Sequence, residues 1–160
     1  MYRLVYLSAA RGAANTAMVG DILAAARRNN PALGVTGLLM VHDDSFFQVL
    51  EGPRPAVERL FSRIAADPRH GSVIVMLQGE TSERCFADWA MALARPSDLG
   101  ADTGAAVRDL VALGGTLGQA AQGDARVVRL IGTFLRNFGD PRLTEALHRG
   151  MDQAEGAEGR

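Results

Sequence analysis

Ser45-Phe46-Phe47-Gln48-Val49-Leu50-Glu51-Gly52 places a polar amide in the middle of a strand-like apolar run. Alternate residues of a strand share a face, so Gln48 lies with Phe46 and Leu50. That face is apolar, which predicts a buried amide whose oxygen accepts and whose NH2 donates. Left unpaired there, it would cost roughly 1–3 kcal/mol. A polar partner from elsewhere in the chain is therefore required.

Working outward, Val35 to Val41 reads as the preceding strand, and His42-Asp43-Asp44 as the tight connection into Ser45 to Leu50. Further upstream, Tyr2 to Ser8 alternates as a strand, with Leu4, Tyr6 and Ser8 on one face and Arg3, Val5 and Leu7 on the other. Asn15 can cap a helix running to about Asn29, with Val19, Ile22, Leu23 and Ala26 at helical spacing and Pro31 and Gly34 ending it. Downstream, Pro53 opens a helix over about Ala56 to Ala66, and Asp67-Pro68 stops it. Ser72 to Leu77 and Phe86 to Leu93 complete a β-α-β-β-α-β-β order. This is an α+β, ferredoxin-like split βαβ unit with an extra strand and two helices on one face.

The composition changes after Pro96, which divides the chain into 1–96 and an appended 97–160. Ser97 to Gly104 reads as a linker, followed by helices at Ala105 to Leu113, Asp124 to Phe138 and Pro141 to Arg149. Val127, Ile131, Phe134, Leu135 and Phe138 make an apolar stripe suited to the sheet face that the first two helices leave open.

At 160 residues and a net charge of -1, the chain is long enough for a real core and carries no basic stretch. Nucleic acid and anionic membrane are not expected partners. No apolar run approaches the ~20 residues of a membrane span, and Met1 to Ser8 is too strand-like for a signal peptide. All 17 basic residues are arginine. The lack of lysine excludes P-loop, Schiff-base and lysine-base chemistry. Cys85 is the single cysteine, so an internal disulfide is impossible and a reducing cytoplasm is expected. His42 and His148 have no metal-like spacing. Gly114-Gly115-Thr116-Leu117-Gly118 reads as a helix break, since neither a preceding strand nor a lysine accompanies it.

Tyr6 and Gln48 are polar groups on apolar strands, Asn29 and Asn30 close the first helix, and Trp89 and Met91 share a face of the last strand. By themselves these residues leave two readings open. Tyr6 and Gln48 satisfy each other in a core, or the set holds a polar ligand between the helices and over the sheet.

Six segments resemble BLUF domains, which are blue-light sensors that use a flavin. They are Tyr2-Arg3-Leu4-Val5-Tyr6-Leu7-Ser8, Arg28-Asn29-Asn30-Pro31, Gly34-Val35-Thr36-Gly37-Leu38-Leu39, Phe47-Gln48-Val49-Leu50-Glu51-Gly52, Asp67-Pro68-Arg69-His70 and Trp89-Ala90-Met91. They occur in matching order over about residues 2–95. The resemblance implies FAD bound noncovalently between the two helices. It makes Tyr6 the photochemical electron donor and Gln48 the relay between phenol and flavin. Asn30, joined by Asn29, contacts the flavin's polar edge, while Ile22 and Ile64 flank the ring. Arg63 serves the ribityl–phosphate side, with Arg69 and His70 nearby. Trp89 and Met91 are the pair that exchange places near Gln48. The implied function is a photosensory module without enzymatic turnover, a homo-oligomer signalling to a protein partner through its C-terminal region. A small acylphosphatase-like hydrolase and a flavin-free regulatory domain are the competing classes, and the colour of the pure protein separates them from a sensor.

Overall fold

The alternation in Tyr2–Ala10 (β1) sends Tyr2, Leu4 and Tyr6 into the main core. A computed structural model describes residues 1–87, 90–94 and 124–134. The further elements are Thr16–Leu33 (α1), Thr36–His42 (β2), Ser45–Gly52 (β3), Arg54–Ala65 (α2), His70–Glu80 (β4) and Ala92–Ala94 (β5). The expected βαββαββ order and the α+β class are both observed. The five strands lie in the order β4-β1-β3-β2-β5. β2 and β5 run parallel and the other neighbours antiparallel.

β3 is the central strand. Gln48 faces Tyr6 of β1 on one side and Leu39 of β2 on the other. Directly opposed residues share a sheet face, so the register alone brings the phenol to the amide. Val19 and Leu23 of α1 and Ala56 and Val57 of α2 pack on that face with Leu4, Tyr6, Leu39 and Phe46. On the other face Val5, Leu38, Met40, Phe47 and Val49 are buried. Gly37 has a steric reason to be glycine: a Cβ there would lie 2.0 Å from the Val49 carbonyl oxygen.

Several boundaries differ from the sequence reading. Pro31 does not end α1 but lies inside its last turn. There it withholds only the N–H owed to the Arg27 carbonyl, and Gly34, at φ 62°, supplies the left-handed cap. Asn15 does cap the helix, accepting from the Met18 N–H at 2.9 Å. His42 belongs to β2, leaving Asp43 (φ 46°) and Asp44 as the turn. β4 is longer than expected, and β5 does not begin at Phe86. The N–H groups of Cys85 and Phe86 donate to the Glu51 carboxylate at 3.0 and 2.9 Å, so they are not available to a strand ladder.

β4 is an edge strand exposing Ile74, Val75 and Met76. Its register against β1 slips twice, and such bulges disfavour pairing with another chain.

The chain divides into two compact units, Met1–Ala94 and Arg95–Arg160. In the second, a helix spans 124–134, with Val127, Ile131 and Phe134 buried. Leu135 and Phe138, the expected linker, and the expected helices at Ala105 to Leu113 and Pro141 to Arg149 lie outside the described residues. Among the described residues no helix is long and apolar enough to cross a membrane.

Candidate functional site

The core side chains do not fill the space between α1 and α2. A cleft of about 530 Å³, counting its open mouth, lies over the middle of the sheet. From α1, Ile22, Ala26, Asn29 and Asn30 line it; from α2, Leu60 and Ile64; from β3, Gln48. Asp67, Arg69 and His70 close one end.

Gln48 links two groups. The Tyr6 hydroxyl donates to Gln48 Oε1, and Gln48 Nε2 donates to the Met91 sulfur at 3.3 Å. All three residues are buried. The Tyr6 phenol is held far above its usual pKa, first by burial and then by the negative charge of Asp67. It is thus a neutral donor at any ordinary pH, and the Gln48 amide passes from phenol to thioether. Phe61 packs tilted on the Tyr6 ring at 5.3 Å.

Asn30 is 1 % exposed. Its Nδ2 donates to the Ala90 carbonyl at 2.9 Å, while its Oδ1 is buried without a hydrogen-bond partner among the described residues. An unpaired buried acceptor is costly, and a ligand donor in the cleft removes that cost. At the closed end, Arg69 forks onto Asp67, with Nη2 2.6 Å from Oδ2 and Nε 3.0 Å from Oδ1. That hydrogen bonding holds the Asp67 carboxyl at about 2. His70 shares a hydrogen bond with Ser8 Oγ at 2.9 Å through Nδ1, and burial lowers its pKa.

The structure therefore gathers Tyr6, Gln48, Met91, Ile22, Asn29, Asn30, Ile64, Arg69 and His70 around one cleft. Arg63 is exposed in the last turn of α2 and does not line it. Trp89 lies outside the described residues. Sequence reading missed the partners of the obvious residues. From sequence Asp67 reads as a helix stop inside a family-like segment with no role of its own, yet its charge acts on Tyr6 and its carboxylate on Arg69. Arg3 and Glu51 form a buried ion pair at 2.6 Å. They are direct cross-strand partners, and an arginine and a glutamate on otherwise apolar strands were the available signal.

Apolar Ile22 and Ile64 walls with an acceptor-and-amide edge at Asn30 and Gln48 suit a flat heteroaromatic ring. Residues 1–92 match the BLUF family, sensors of blue-light using FAD. The chain belongs to the BLUF family. It is 37% identical over 91 residues to the photoactivated adenylate cyclase subunit beta of Euglena longa, a match that covers 56% of this chain and 11% of the cyclase subunit. The chain thus spans about a tenth of that relative's length. The dark-state structure of BlrB, a BLUF protein, matches at 37% identity and a TM-score of 0.58, over 61% of this chain and 74% of BlrB. Klebsiella pneumoniae BlrP1 with FMN and cyclic diGMP matches at 32% identity and a TM-score of 0.56, over 60% of this chain and 26% of BlrP1. One of these relatives is thus a subunit of a photoactivated cyclase.

Proposed function

We propose that this BLUF chain holds FAD in the cleft between α1 and α2 and converts its excitation into a rearranged Gln48 amide. The observation that carries the reading is the unbroken link from the Tyr6 hydroxyl through Gln48 to the Met91 sulfur at the cleft. Bound flavin supplies the light absorption and an electron-accepting ring. With flavin bound, Tyr6 would be the one-electron donor, and its phenol, made acidic by oxidation, would give its proton to Gln48 Oε1. An amide both accepts and donates, so Gln48 can pass a proton on and then settle rotated or tautomerised. Its donor then leaves the Met91 sulfur and its bonding to the ring changes. Return of the electron and proton to Tyr6 restores the dark state.

Asn30 Oδ1 would accept from the flavin, with Asn29 beside it, and Ile22 and Ile64 would exclude water from the bound ring. Arg69 and His70 stand at the closed end. Arg63, exposed one position before Ile64, would serve the ribityl–phosphate side. The chain performs no turnover itself. Its output passes through residues 97–160, or through a homo-oligomer, to a protein partner.

Denaturing the purified protein and chromatographing the released cofactor tests this reading. FAD is the expected product. FMN or riboflavin would correct the cofactor, and a colourless protein that takes up no added flavin would overturn the reading.

A further inference from the structure

Arg27 and Asn30 stand one turn apart on α1 and share a helix face. Their side chains grip consecutive peptide carbonyls of one segment. Asn30 Nδ2 donates to the Ala90 oxygen at 2.9 Å and Arg27 Nε to the Met91 oxygen at 3.2 Å. That segment carries the Met91 sulfur, which accepts from Gln48. It runs at once into β5, which pairs with β2 through only Ala92, Leu93 and Ala94. To that three-residue ladder and the packing of Met91 and Leu93 on the core, the two α1 bonds add a direct hold on the backbone.

The two grips differ in kind. Asn30 is buried, and its Oδ1 is committed to the cleft. Arg27 is exposed and lines no part of the cleft. Its guanidinium can exchange the carbonyl for water at small cost, as a releasable contact requires.

We propose that Arg27 is a positioning residue, a latch that holds the Met91 backbone to α1 in the dark and lets go when the Gln48 donor leaves the Met91 sulfur. The latch makes a local change at an amide into a displacement of the chain entering β5. It rests on the role given to Gln48 above and adds the residue that couples it to the backbone.

The test uses the full, flavin-loaded chain as wild type, Arg27→Leu and Arg27→Lys. Amide hydrogen exchange is read over residues 90–94 in the dark and under blue light, beside the flavin spectrum and melting temperature. One hydrogen bond of ordinary net strength corresponds to a change of about three- to tenfold in an opening equilibrium. Arg27→Leu should exchange faster in the dark by about that factor, and its light-minus-dark difference in this segment should collapse. Its spectral shift and melting temperature should stay those of the wild type. Arg27→Lys, which keeps a donor, should retain the wild-type difference. A normal spectral shift with unaltered exchange in Arg27→Leu overturns the latch and leaves the sensor reading intact. A wild type without any spectral shift defeats the sensor reading itself.

Discussion

Glu51→Gln tests how the segment leading to Met91 is anchored. Glu51 is fully buried, and Arg3 is 3 % exposed. Glu51 Oε1 accepts from Arg3 Nε at 2.6 Å and from the Cys85 N–H at 3.0 Å, and Oε2 accepts from the Phe86 N–H at 2.9 Å. Glutamine keeps one acceptor. It turns an NH2 towards a donor and leaves a buried guanidinium without its counter-charge. Removing one partner of a buried pair costs roughly 3–5 kcal/mol, against a whole-domain stability of roughly 5–15 kcal/mol. At ~4–8 °C per kcal/mol for a unit of this length, the melting temperature should fall by roughly 12–40 °C. Arg3→Met removes the stranded charge, so Arg3→Met/Glu51→Gln should be more stable than Glu51→Gln alone. The assay is urea unfolding followed by circular dichroism, with and without flavin, because a ligand that binds only the folded state adds its own stabilisation. A Glu51→Gln protein within about 1 kcal/mol of wild type would refute the argument, since an intact buried pair cannot be broken so cheaply. So would a double variant destabilised by the sum of the single effects.

Gly37→Ala should prevent β2 from pairing with β3 in register, because its Cβ would collide with the Val49 carbonyl; loss of folded, flavin-binding protein on expression is the expected result, and a normal yield would contradict it. Asp67 has a folded pKa of about 2, below its ordinary 3.8. It therefore contributes stability that is present above about pH 4 and is lost as the pH falls through 2. Arg69 is 39 % exposed, so solvent screening limits that contribution to about 1 kcal/mol or less. The urea midpoint of Asp67→Asn should accordingly vary less than that of wild type between pH 4 and 2. Tyr6→Phe should keep flavin bound but lose the light response, as read from absorption spectra, because the ring remains while the proton source goes.

Much of the site was legible because it depends on strand register and helix phase. The two-residue periodicity of Tyr2 to Ser8 and Phe46 to Leu50 puts Tyr6 and Gln48 on the helix side, and antiparallel pairing brings them opposite. Helical spacing likewise sends Ile22 with Val19 and Leu23 towards the core. Elements held by side chains rather than by periodicity were harder to read. Phe86 looks like strand, but Glu51 takes its N–H. Pro31 looks like a stop, yet it costs a last helical turn only one hydrogen bond. Arg27 looks like a solvated helix residue, and only the path of the chain at Ala90 and Met91 gives it a partner.

In the mechanism proposed above, light acts on this protein through the Gln48 amide between Tyr6 and the flavin. Absorption spectra of the flavin-loaded chain and of Gln48→Leu, taken before, during and after blue light, test it most directly. Leucine keeps similar bulk but can neither accept nor donate. A reversible red shift is expected in the wild type and none in Gln48→Leu, with flavin still bound. A normal, reversible red shift in Gln48→Leu would contradict it.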